Sequence, residues 1–224
     1  MDLRFPAART PLVTVPDPES AASMTSRSDD GRGLPAVALT LMTQLEQWDA
    51  ASARHCRRVA SAATSLGTWM GLSAQTMDRL RLSAFLHDIG KLRTRRTILQ
   101  KPGRLSDAEY ADIKKHAAVG ASILGGEDAF NDIIDIVHTH HERWDGDGYP
   151  IGLAGSDIPL EARIIAVVDT WDAITAMRSY ERRRPEFLSL TEIRRCAGTQ
   201  FDPDIAATFI DMTFERLQSQ RRCA

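Results

Sequence analysis

The chain has 224 residues, of which 43% are hydrophobic and 26% charged, with a formal net charge of -2. This describes a folded globular protein and gives no bulk electrostatic attraction for nucleic acid or an anionic membrane. No apolar run approaches the roughly 20 residues needed to span a bilayer, and the N-terminus has no continuous apolar stretch of the kind found in signal peptides. Cys56, Cys196 and Cys223 are odd in number and lack metal-like spacing, so they read as reduced thiols of a cytoplasmic protein.

Residues 1–35 carry Pro6, Pro11, Pro16 and Pro18, then a Ser/Asp/Gly-rich stretch. They lack sustained periodicity and read as a disordered tail preceding a domain over 36–224. A helical region begins near Ala36 and continues through His55. His55, Val59, Ala62 and Leu66 share one face. Taken alone, a His on an apolar face is usually a satisfied core histidine.

Ser73 is placed to cap the next helix, on which Met77, Leu80, Ala84 and His87 share a face. His87 and Asp88 are adjacent and diverge by about 100° on a regular helix. They can enter one pocket only if the helix ends there, and Gly90 is the expected stop. Residues 92–105 read as an irregular basic connection. Ser106 and Glu109 form a capping box for a helix that carries Ile113, His116, Gly120, Ile123 and Leu124 to Gly125-Gly126. Another helix is expected over about 129–142, with His140 and His141 continuing its apolar stripes and His138 pointing elsewhere. The segment from Arg143 to Pro150 is dense in turn formers.

Pro159 suits the first turn of a long helix whose Ala162, Ile165, Asp169 and Asp172 lie on one stripe. Unpaired carboxylates on a buried stripe are costly, so a metal ligand with a supporting acid is the better account. A helix over about 190–197 stops at Gly198, and a last helix is capped by Asp202 with Pro203 at its first position. No stretch outside the tail reads as strand, so the expected fold is all-α. The gathered imidazoles and carboxylates, without thiols, suit Fe, Mn or Zn.

These strings resemble the HD-GYP family, a branch of the HD superfamily of metal-dependent phosphohydrolases. The resemblance spans about 36–215 and rests on RHCRRV (54–59), LHDIGK (86–91), LQKPGRLSDAEY (99–110), KKHAAVGASIL (114–124), HHERWDGDGYP (140–150), RIIAVVDTWDAITAMRSY (163–180) and GTQFDP (198–203). It implies an HD-type helical bundle with an extended GYP loop. By resemblance, the metal ligands fall on His55, His87, Asp88, His116, His140, His141 and Asp169. Asp88 would bridge two divalent ions, Fe or Mn. His55, His87 and Asp169 would complete one shell, and His116, His140 and His141 the other. Members with three metals use a Glu where this chain has Ala51, which implies two.

The resemblance further implies hydrolysis of cyclic di-GMP to pGpG, to GMP, or to both. Asp88 and Lys91 would be catalytic. Arg178, Lys91, Tyr149 and Asp172 would serve the substrate site. Where the family often reads R-P-Y-R, this chain has Arg178-Ser179-Tyr180-Glu181, with Arg182 or Arg183 as substitutes for the missing basic residue. Lys91 also stands out chemically, because this chain otherwise prefers Arg. An ammonium has a tunable pKa and a guanidinium does not. The readings left open are an HD-type phosphohydrolase of another nucleotide or cyclic dinucleotide, and a cyclic di-GMP binding module without turnover. Open partners are a diguanylate cyclase or sensor meeting the GYP loop, and a second copy of the chain. Neither nucleic acid nor membrane is expected as a partner.

Overall fold

The structure is a computed structural model that describes residues 33–176 and 186–222. Among the described residues there are ten α-helices, joined by short 3₁₀ turns, and no strand. A single bridge pairs Ala197 with Phe201.

Helix α1 (Ala36–Trp48) and helix α2 (Ala50–Trp69) are separate, where the sequence predicts one helical region. The break is Asp49, whose backbone is extended (φ -149, ψ 94) and whose side chain accepts from the Ser52 backbone N–H and hydroxyl. Asp49 therefore caps α2, satisfying an amide that has no partner within the helix. Cys56, Val59, Ala63 and Leu66 of α2 are fully buried. This stripe packs on α3 (Ala74–Leu86), α1 and α8 (Leu160–Ala176). Fully burying a residue such as Leu66 or Leu80 contributes about 1.5–3 kcal/mol, which holds the ends of α2, α3 and α8 in a fixed relation.

After α3 the chain does not stop at Gly90. It runs into a 3₁₀ turn over Ile89–Arg93, then a short helix α4 (Arg96–Leu99) inside the stretch expected to be irregular. Gly90 serves a different purpose from the predicted stop. A Cβ there would lie 2.0 Å from the His116 carbonyl oxygen and 2.6 Å from the Gly120 nitrogen. The missing side chain lets the turn carrying Asp88 press directly on α6 (His116–Leu124).

The single helix predicted after the capping box is two. Helix α5 (Asp107–Lys114) ends at Lys115, and α6 begins at His116. The capping box is present in full. No residue of α5 is buried, so it forms a rim rather than part of the core. The helix predicted over 129–142 is also shorter. It consists of a 3₁₀ turn at Asp128–Phe130 followed by α7 (Ile134–Thr139). Helix α9 (Glu186–Arg195) ends near Gly198 (φ +80), and α10 (Pro203–Arg222) is capped by Asp202, whose Oδ1 accepts from the backbone N–H of Asp204 and Ile205. No described helix is long and apolar enough to cross a membrane. Residues 1–32 of the predicted tail and the segment holding Arg178, Glu181, Arg182 and Arg183 lie outside the described residues.

Candidate metal centre

Three of the predicted ligands share one device. His87 is the C-cap of α3, His140 the C-cap of α7, and His116 follows the end of α5. Each donates Nδ1–H to the carbonyl three residues earlier, to Ala84 at 2.8 Å, Val137 at 2.6 Å and Ile113 at 2.7 Å. Carbonyls at helix ends lack intrahelical partners, so each helix end fixes its own imidazole. A carbonyl only accepts, which places the proton on Nδ1 and the lone pair on Nε2.

Those Nε2 lone pairs converge. His116 Nε2 lies 3.2 Å from His140 Nε2 and 3.1 Å from His141 Nε2. With Nδ1 protonated on both His116 and His140, neither Nε2 can donate to the other. His87 Nε2 is buried with no hydrogen-bond partner. Burial and the neighbouring imidazoles hold His140 well below the usual histidine range, and burial with the adjacent His116 brings His141 to about 3. Burial likewise lowers His116. The rings of His116, His140 and His141 are neutral, and a cation between them would satisfy their facing lone pairs. The donor set fits a transition metal.

The ligands fall into two groups whose donor atoms lie within 4.8 Å of one another: His116, His140 and His141, and His55, His87 and Asp169. Asp88 lies between them. Its Oδ1 is 3.3 Å from His116 Nε2, while its Oδ2 is 3.6 Å from His87 Nε2 and 3.9 Å from His55 Nε2. Burial opposes ionisation of Asp88, but the Lys91 ammonium and the surrounding imidazoles hold its carboxyl well below the usual range. Lys91 donates to Asp88 Oδ2 at 2.6 Å. Burial alone would lower Lys91, yet Asp88 outweighs it and raises the ammonium above its ordinary value.

His55 is held from both sides. Its Nδ1 meets Asp172 Oδ2 at 2.7 Å, and its Nε2 meets Asp169 Oδ1 at 2.8 Å. Burial pushes His55 down, but the two carboxylates win and raise it to about 9. Asp169 is lowered to about 2, against its own burial, chiefly through its hydrogen bond with His55. Tyr149 stacks on His141 with centroids 4.9 Å apart. An open cavity of about 910 Å³ reaches His55, His116 and His141 of this cluster, with Lys91, Tyr149, Asp169 and Asp172 in its wall and Ala51 beside them. Every predicted site residue among the described residues is thus brought to one place, and Arg178 lies outside them. His138 joins neither ligand group among the described residues.

Sequence reasoning missed four contributors. Arg58 donates two hydrogen bonds to Asp172. Glu142 is buried and accepts from the Ile151 and Gly152 N–H groups, pinning the returning loop. Cys56 is fully buried within ligand reach of His87 and Asp88. Burial and Asp88 push its thiol well above the ordinary value, so it is a neutral neighbour rather than a thiolate. Lys114 lies over the Tyr110 and Tyr149 rings in the cavity wall. Only Cys56, next to His55, carried a local signal.

A family model for the HD domain matches residues 39–205. The chain belongs to the HD domain family, in its HD-GYP branch. It is 33% identical over 187 residues to a cyclic di-GMP phosphodiesterase of Thermotoga maritima, covering 82% of this chain and 51% of that one. It is 35% identical over 159 residues to 3'3'-cGAMP-specific phosphodiesterase 2 of Vibrio cholerae, covering 70% of this chain and 30% of that one. The chain therefore spans about half, or less, of the length of these relatives. Among solved structures, an HDG"Y"P protein of Bdellovibrio bacteriovorus, 21% identical, superposes with a TM-score of 0.59 over 71% of this chain and 51% of that chain. That likeness supports the all-α HD-domain fold.

Proposed function

We propose that this protein is a metal-dependent phosphodiesterase that hydrolyses cyclic di-GMP to pGpG, to GMP, or to both. The observation that carries the reading is the position of Asp88, whose Oδ1 is nearest His116 and whose Oδ2 is nearest His87 and His55, one oxygen for each predicted ligand group. In this reading His55, His87 and Asp169 would hold one divalent ion, His116, His140 and His141 would hold the other, and Asp88 would serve both. Ala51, in the cavity wall, offers no donor for a third. Fe or Mn is the proposed metal, on the imidazole and carboxylate donor set. Such ions supply an activated water and neutralise phosphodiester charge when bound.

The chain's own residues do the rest. The helix-end carbonyls keep three Nε2 atoms aimed inward, so little reorganisation accompanies binding. Lys91 keeps its proton at Nζ beside Asp88. From there the ammonium stabilises developing charge on the phosphoryl oxygens or gives its proton to the leaving ribose oxygen. Asp172 fixes the His55 ring. Tyr149 closes the His141 side. Arg178 is assigned to substrate phosphate from the sequence.

The test is turnover. Metal-loaded protein should convert cyclic di-GMP to pGpG, GMP or both, resolved by chromatography, with 3'3'-cGAMP run in parallel. Faster cleavage of 3'3'-cGAMP would move the assignment to that substrate. Binding of cyclic di-GMP without cleavage by fully loaded protein would make it a binding module.

A further inference from the structure

The cavity wall contains five described cations besides histidine: Arg58, Lys91, Lys101, Lys114 and Arg143. Four of them have carboxylate partners. Arg58 touches Asp172 at 2.7 Å, Lys91 touches Asp88 at 2.6 Å, Lys101 touches Glu109 at 2.7 Å and Arg143 touches Asp145 at 2.5 Å. Among the described residues, no carboxylate pairs with Lys114. Its ammonium sits instead between two rings, 4.8 Å from the Tyr110 centroid and 5.0 Å from that of Tyr149. Aromatic faces attract an ammonium without neutralising it, so its charge remains available to an anion.

Position matters as much as charge. Tyr149 stacks on His141, so Lys114 stands one aromatic ring beyond the candidate metal centre. Tyr110 lies one turn earlier on α5 and is 51% exposed. Helix α5 buries nothing in the core, and core packing therefore does not explain a tyrosine there. A cyclic dinucleotide carries two phosphodiesters and two bases. The metal centre accounts for one phosphodiester only.

We infer that Lys114 and Tyr110 form an outer substrate subsite: Lys114 binds the phosphodiester that is not being cleaved, and Tyr110 stacks one base. This rests on the cyclic di-GMP reading above. An ammonium in the cavity wall can pair with the second phosphate, and a tyrosine face suits a purine. The contribution falls on substrate binding rather than on the reacting bond, so it belongs in KM.

The experiment compares two substrates in metal-loaded full-length protein: cyclic di-GMP, and bis(p-nitrophenyl) phosphate, which has a single phosphodiester. Lys114→Met should raise KM for cyclic di-GMP about tenfold relative to KM for bis(p-nitrophenyl) phosphate, with kcat for cyclic di-GMP within about twofold. Lys114→Arg should recover most of that loss, and Tyr110→Ala should shift the ratio in the same direction as Lys114→Met. Equal effects of Lys114→Met on both substrates, or on neither, would overturn the subsite. Calorimetry with a phosphorothioate analogue of cyclic di-GMP separates this inference from the functional reading. If wild type binds the analogue about tenfold tighter than Lys114→Met but does not cleave cyclic di-GMP, the subsite stands and the catalytic reading falls. If wild type does not bind it, the subsite falls.

Discussion

Arg58 grips Asp172 with two parallel hydrogen bonds, Nε to Oδ1 and a terminal nitrogen to Oδ2, each 2.7 Å. The same carboxylate accepts from His55 Nδ1 at 2.7 Å. A side chain on the exposed face of α2 therefore sets the orientation of a buried carboxylate, which sets the ring of a candidate metal ligand. Guanidinium suits this task because its planar fork matches a carboxylate, and an ammonium cannot reproduce it. Arg58→Lys should keep the fold but weaken metal retention on the His55 side by roughly 10- to 100-fold, the range typical for lost support of a ligand. Elemental analysis after dialysis against a weak chelator checks it. Two fully retained ions in Arg58→Lys would show that Asp172 needs no help.

Metal uptake should release protons. Without metal, His55 is raised to about 9 by Asp169 and Asp172, against the effect of burial. At pH 7 it is protonated, and Nε2 must lose its proton to bind a cation. The sign is then fixed. Affinity on the His55 side rises with pH, by about tenfold per unit below about pH 9, and levels off above it. His116, His140 and His141 are held low, so they release none at pH 7. Calorimetric titration with Mn(II) in buffers of different ionisation enthalpy should therefore report about one proton per chain at pH 7. Zero protons at pH 7 would mean that His55 is already neutral.

The sequence displayed the clustered imidazoles and carboxylates more clearly than the backbone that presents them. The apolar stripes ending in His87, His140 and His141 pointed toward a site, and a joint role for Asp169 and Asp172 was legible from their place on one apolar stripe. The helix breaks were not. Breaks at Asp49 and Lys115, and the early end of α7, leave no strong propensity signal such as Pro or Gly. The ends of α5 and α7, like that of α3, leave carbonyls at Ile113, Val137 and Ala84 that fix three imidazoles, and the break at Asp49 is the cap of α2. Gly90 showed the opposite failure. The residue was noticed, but its role lies in contact with a backbone 26 residues away, His116, which local reading cannot supply. Arg58 and Lys114 were invisible because their roles depend on partners from other elements.

Gly90→Ala should damage the fold more than any local rule suggests. The new methyl would meet backbone atoms of His116 and Gly120. Backbone cannot rotate aside as a side chain can, so α6 must move away from the turn that carries Asp88. Overpacking of this kind typically costs about 1–3 kcal/mol and sometimes more, and the contact lies between two ligand-bearing segments. A melting temperature lowered by several degrees together with loss of bound metal is expected. Gly148→Ala should behave similarly, since its Cβ would lie 2.4 Å from the Arg143 nitrogen. Unchanged stability in Gly90→Ala would show that α6 and the turn can separate freely.

Lys91 and Asp88 share one hydrogen bond of 2.6 Å, yet the proposed roles differ and variants can separate them. Asp88 faces both ligand groups, so Asp88→Asn should lower metal content and activity together. Lys91 holds no metal. Lys91→Met keeps much of the side-chain volume and removes the ammonium, leaving Asp88 without its nearest counter-charge. Metal content should hold or rise slightly, because the carboxylate then has only the cations to pair with. Turnover should fall by about two to four orders of magnitude if the ammonium acts on the transition state, with KM changed far less. Single-turnover rates on protein of measured metal content distinguish the two variants. Should Lys91→Met lose metal in parallel with activity, Lys91 would be a structural partner of Asp88. Near-normal turnover in fully loaded Lys91→Met would instead leave Lys101, in the same cavity wall, as the next candidate.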